Sequence, residues 1–156
     1  MSVSVTHSGH ASASNPTCCR GPVKVLVCEN PRVVEALAEQ GVAGWAAVCT
    51  AGEPNLVVDK VLADAAESGA DLYYHGDFDW LGVAIAHRAV ERYGVAPWKM
   101  SADDYSDAVS SDGSPLLGAA VEPAWDPELG AAMRSHGHPL HEESVLAGLI
   151  EALVAG

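Results

Sequence analysis

Short apolar runs alternate with longer stretches of helical period along most of this chain. Val23–Cys28 is apolar apart from Lys24 near its start and shows no polar face beyond it, the pattern of a strand buried on both sides of a sheet. Asn30-Pro31 then supplies a helix start, with Asn as cap and Pro at the first helical position. Val33, Val34, Leu37 and Ala38 fall on one face of that helix, and Gly41 ends it. Trp45–Thr50 predicts a second strand. A second helix follows from about Pro54 to Ser68, with Val57, Val58, Val61, Leu62 and Ala65 turned inward and Gly69 as terminator. Asp71–His75 predicts a third strand and Trp80–Tyr93 a third helix, with Leu81, Ala84, Ile85 and Ala89 inward and Gly94 closing it.

Beyond Gly94 the signals are shorter. Pro97–Met100 predicts a brief fourth strand, and Ser101 caps a turn of helix through Tyr105. Residues 106–123 carry Gly and Ser and read as loop. Asp126-Pro127 opens a helix to about His136, and Glu142–Val154 reads as a terminal amphipathic helix. Strand–helix alternation of this kind argues for an α/β fold, a three-layer Rossmann-like domain with a largely parallel sheet of about four strands. There is no internal repeat.

Residues 1–21 are rich in Ser, Ala, Gly and Thr without a sustained period, and are expected to form a disordered leader ahead of a folded unit spanning 22–156. The apolar runs are far shorter than the ~20 residues of a membrane span, and the N-terminus lacks a signal-type apolar core. The expectation is therefore a cytoplasmic chain with no membrane partner. Cys28 and Cys49 fall inside predicted strands as small buried hydrophobes. Cys18 and Cys19 are adjacent and poorly placed to chelate one metal, so a reduced intracellular setting follows.

Candidate chemistry lies where the strands end. Glu29 closes VKVLVCE, and Asp77 and Asp79 occupy the loop after the third strand. In a parallel sheet all three reach the carboxyl edge, where such folds bind ligands. Residues two apart in extended chain point the same way, so Asp77 and Asp79 can face one ion, and Glu29 can join them if its strand neighbours theirs. Clustered carboxylates repel unless a cation separates them, and hard oxygen donors suit Mg or Mn. The plain alternative is that strand-end acids only cap helices. The formal net charge of −13 weighs against a domain gripping DNA alone, since no basic stripe is present to neutralise phosphates.

Glu29 in ENP and Asp77 and Asp79 in DFD resemble the acidic signature of the Toprim domain of topoisomerases, primases and repair nucleases. More narrowly, CENP, CTAGEP, YHGDFDWLGVAIA, PWKMSADDY and WDPELGAAMRSHG followed by EE resemble the C-terminal Toprim-like domain of JetD-type proteins, encoded beside SMC-like partners in Wadjet plasmid-defence operons. The resemblance runs from about Val23 to Leu153. It implies that Asp77 and Asp79 hold Mg or Mn against a scissile DNA phosphate. Glu29 would share the metal or act as general base toward water. Relatives carry a preceding N-terminal region, which suggests a fragment or truncated product whose DNA grip comes from another domain or subunit. Tyr73, Tyr74, Tyr93 and Tyr105 read as core or rim residues rather than nucleophiles, so hydrolysis is favoured over strand passage.

Other residues carry weaker readings. His75 could contact a phosphate or simply hydrogen-bond the acidic loop. Glu142 and Glu143 could complete a second metal position or serve as favourable acids in the first turn of the last helix. His136, His138 and His141 read as a solvated loop in preference to a zinc site, and Trp80 and Trp98 as core. Arg88, Arg92 and Lys99 could approach DNA or be ordinary surface charges. The competing functional reading is a non-catalytic docking module for SMC-like partners. A phosphatase or receiver-like domain ranks lower, because its key Asp would stand where Glu29 is.

Overall fold

The computed structural model describes residues 5–7, 23–52, 54–111 and 113–155. Its sheet comprises β1 (Val5–His7), β2 (Lys24–Cys28), β3 (Trp45–Cys49), β4 (Asp71–Tyr74) and β5 (Ala96–Pro97), in spatial order β1-β3-β2-β4-β5. The four strands from β2 onward are parallel, and β1 pairs antiparallel along the outer edge of β3. The helices are α1 (Pro31–Gln40), α2 (Leu56–Glu67), α3 (Trp80–Tyr93), α4 (Ala102–Ala108), α5 (Leu129–His136) and α6 (Glu142–Ala155).

Alternation along the strands sorts the core into two halves. Val25, Val27, Ala46, Val48, Leu72 and Tyr74 pack with Val58 and Leu62 of α2 and with Val83, Ile85, Ala86 and Ala89 of α3. Leu26, Cys28, Ala47 and Cys49 face the other way, onto Val33, Val34 and Leu37 of α1 and Leu153 of α6. Helices thus cover both faces, which is the α/β three-layer arrangement expected. The continuous apolar runs of β2 and β3 follow from burial on both sides.

Local signals set most boundaries. Asn30 caps α1 by accepting from Arg32 N, and Gly41 closes it at φ 61°. Asn55 caps α2 by accepting from Val57 N and Val58 N, so that helix begins after Pro54 rather than at it. Ser101 and Asp104 form a reciprocal capping box that carries α4 to Ala108, beyond the single turn expected. Asp126 does not cap α5 directly. Its carboxylate accepts from Glu128 N and Ala102 N, tying the start of α5 to that of α4.

Three expectations are corrected. The stretch read as a disordered leader contains β1, whose three residues are too few to show a period but satisfy the otherwise open edge of β3. The rest of that stretch, with Cys18 and Cys19, lies outside the described residues. Val57 and Leu81, expected inward, are exposed, each as the second residue of its helix, where fewer helical neighbours flank it. The fourth parallel strand pairs only over Ala96–Pro97, since the chain turns out at Lys99 with φ 55°.

Leu62 is fully buried between α2 and the sheet, whereas Leu56 on the same helix is 86% exposed. Leu62→Ala should cost about 2–5 kcal/mol in urea unfolding, through lost transfer energy and a cavity. Leu56→Ala should leave the midpoint nearly unchanged.

Candidate metal centre

The sheet reverses its build direction at β2. The chain leaves β2 for β3 on one side and later returns to place β4 on the other. Such a switch point opens a crevice at the carboxyl ends of the two central strands. Glu29 leaves β2 there, and His75-Gly76-Asp77-Phe78-Asp79 leaves β4 beside it. The neighbouring strands that Glu29 needs are therefore present.

Glu29 lies against the loop. Its Oε1 accepts from Tyr74 Oη at 2.9 Å, and a Cβ added to Gly76 would overlap that same oxygen. Gly76 is thus required by close approach of a carboxylate rather than by a positive φ. Burial holds the Glu29 carboxyl above its ordinary pKa. The Tyr74 hydroxyl opposes that rise, and the charges of Asp77 and Asp79 add to it. An acid surrounded by like charges is short of a cation.

Asp79 caps α3, accepting from Gly82 N at 2.7 Å through Oδ1. The helix-capping alternative therefore describes part of its role, and leaves Oδ2 for another partner. Asp77 receives a different segment. Its Oδ1 accepts from Glu142 N at 2.8 Å, and its Oδ2 lies 3.1 Å from His141 Nδ1. Phe78 turns away between the two acids, 2% exposed, and pairs with Leu140 through Phe78 N–Leu140 O at 2.8 Å and Leu140 N–Phe78 O at 3.2 Å. That short antiparallel bridge brings the start of α6 onto the acidic loop.

The result is a group of possible ligands made of Asp77, Asp79 and His141, with one donor atom of each within 4.8 Å of the others. His141 stays exposed in the loop before α6, as expected, and from there its Nδ1 reaches Asp77. His138 Nδ1 instead meets Ser114 O, and His136 packs edge-on against Tyr105, so the three histidines do not converge. Glu29 sits beside this group without being part of it. Sequence spacing held no signal for His141, because its partner lies 64 residues away.

Glu142 and Glu143 divide. Glu143 Oε1 accepts from the Asn30 amide at 3.0 Å and bridges α6 to the α1 cap. Glu142 is 1% exposed, which no first-turn acid needs to be. Its Oε2 accepts from Asn30 N at 2.6 Å, and its Oε1 has no hydrogen-bond partner. Burial pushes its pKa up to about 9, the Asn30 N–H opposes the rise, and Glu29, Asp77 and Cys49 add to it. His75 is buried, with Nδ1 3.0 Å from Trp98 O and its pKa lowered by burial to about 4. It therefore makes a structural contact with the neighbouring strand's loop, and presents no surface to a phosphate.

A family model described as "protein of unknown function C-terminus (DUF2399)" matches residues 4–153. No curated protein matches the chain. Among the described residues, no helix is long and apolar enough to cross a membrane.

In metal-free buffer the raised pKa of Glu142 has a definite sign. The folded state keeps a proton that the unfolded chain releases near the ordinary Glu value of about 4.3, so stability falls as pH rises from there toward about 9. Glu142→Gln removes that loss. Urea unfolding at several pH values should show the variant gaining on the wild type throughout this window. A constant difference would contradict the buried, protonated acid.

Proposed function

The chain belongs to the DUF2399 C-terminal family, and from that premise and the site's geometry we propose that it is a Toprim-like, metal-dependent domain for hydrolysing DNA phosphodiesters. The observation that supports this reading most is the convergence of Asp77, Asp79 and His141 at the carboxyl edge, backed by a half-buried Glu29 of raised proton affinity. In this reading the domain is that of JetD-type plasmid-defence nucleases and works beside an SMC-like complex in the cytoplasm.

The donor set fits a divalent ion. Two aspartates offer hard oxygens, Glu29 is crowded by the charges of both, and Glu142 Oε1 is buried without a partner. The carboxylate oxygens suit Mg²⁺ or Mn²⁺, and of the two an imidazole ligand from His141 favours the transition ion Mn²⁺. A bound ion there supplies Lewis acidity toward a phosphoryl oxygen. Asp77 and Asp79 hold and orient the ligand position, each fixed on its outer side by a backbone N–H. Glu29 takes a proton from the attacking water and returns one to the leaving oxygen, since its raised pKa brings it nearer neutrality and the Tyr74 hydroxyl steadies its orientation.

The net charge of −13 assigns the grip on DNA to other protein elements. It also favours the rival reading, a docking module with a basic partner and no catalysis of its own.

Asn is isosteric with Asp and caps helices equally well, so Asp77→Asn/Asp79→Asn removes charge while keeping the contacts to Glu142 N and Gly82 N. At a hundredfold excess over Kd, Mg²⁺ or Mn²⁺ should stabilise the wild type by about 2.7 kcal/mol, read as a rise in Tm. The double variant should show no rise, and His141→Ala a smaller rise at the same metal concentration. Nicking of circular DNA by the wild type, lost in the double variant, would separate nuclease from docking module. A metal-induced rise without nicking, alone or with partner subunits present, would leave the docking reading.

A further inference from the structure

Beside the acids, at the same carboxyl edge, two cysteines lie opposite each other on neighbouring strands. Cys28 of β2 and Cys49 of β3 are register partners in a parallel pair. Their side chains share one face of the sheet and the same half of the core. Neither is in a disulfide, and each thiol donates to a main-chain carbonyl, Cys28 to Val48 O of the neighbouring strand at 3.8 Å and Cys49 to Glu29 O. Adjacent strands run about 4.8 Å apart, within the roughly 4.4–6.8 Å between Cα atoms that a disulfide accepts. Facing thiols at this spacing can meet once the side chains rotate and the strands draw together slightly, to the roughly 3.5–4.5 Å between Cβ atoms that a disulfide holds.

Their surroundings differ in one useful way. Cys28 is fully buried, whereas Cys49 is 7% exposed at the rim. Cys49 Sγ also donates to the Glu29 carbonyl at 3.3 Å, and Cys28 immediately precedes Glu29 in the chain. A change at this pair is therefore felt directly by the backbone that carries the Glu29 carboxylate.

We propose that Cys28 and Cys49 form a site of reversible oxidation, closing to a disulfide by exchange with a small-molecule disulfide and thereby weakening the metal centre through Glu29. Cys49 reacts first as its thiolate, bonding to one sulfur of the small disulfide and expelling the other as a thiolate. Cys28 then gives its proton to solvent and attacks the Cys49 sulfur, releasing the second small thiol. The protein loses two thiol hydrogens, and one small disulfide is reduced to two thiols. The closed pair removes the Cys49 Sγ–H donor to Glu29 O. The thiol chemistry stands by itself, and its effect on metal binding rests on the function proposed above.

The test uses the full chain carrying Cys18→Ser/Cys19→Ser, so that only this pair can react. Incubation with oxidised glutathione should remove two free thiols per chain and yield a Cys28–Cys49 cross-linked peptide, both restored by dithiothreitol. Cys28→Ala should abolish the cross-link and, because it leaves the Cys49 Sγ–H donor to Glu29 O in place, keep the Mg²⁺-induced rise in Tm. In the oxidised chain that rise should require at least severalfold more Mg²⁺. A glutathione adduct that never closes, a disulfide between two chains, or thiols unreactive until urea unfolds the protein would each overturn the site. Closure with unchanged Mg²⁺ dependence would overturn its control of the metal centre. No Mg²⁺ response in the reduced chain would count against the metal reading and leave the disulfide standing.

Discussion

Parallel pairing of β2 with β4 is the constraint on which this site depends. The two strands are aligned from Lys24↔Asp71 to Val27↔Tyr74, so their chains leave the sheet at the same level. Glu29 and the Gly76-Asp77 turn then emerge side by side, close enough that a methyl group on Gly76 would strike the Glu29 carboxylate. Any other neighbour for β2 would separate these acids by at least one strand spacing. The pairing also sets the chain reversal at β2 that opens the crevice.

The acids so gathered are electrostatically unfavourable as a bare group, and the fold answers in two ways. Backbone N–H groups from helix starts meet Asp77 and Asp79, where the positive end of a helix dipole offsets negative charge. Deeper in, Glu29 and Glu142 shift toward their protonated forms, because burial and neighbouring charges both disfavour ionisation. In the proposed function, protons and a divalent cation would be alternative ways of neutralising the same cluster.

The chain's last helix is as much a part of the site as the strands. Asp77 and the Phe78–Leu140 bridge hold the entry to α6 on the loop after β4, while Asn30 joins the α1 cap to Glu142 and Glu143. One surface therefore couples both sheet faces. A disturbance at Glu29, including a bond between the neighbouring cysteines, acts on a connected set of hydrogen bonds.

The sequence by itself determined the layered α/β class, most helix limits and the positions of Glu29, Asp77 and Asp79 at strand ends. Those features are local: apolar runs, Asn and Ser caps, and an Asp-x-Asp step depend on residues within a few positions of one another. Tertiary structure decided the rest. It brought His141 to Asp77, buried Glu142, engaged His75 with Trp98, turned Val57 and Leu81 to solvent and paired β1 with the edge of β3. Each of these outcomes depends on a partner many residues distant, or on a residue's place in the first turn of its helix. Local periodicity records neither.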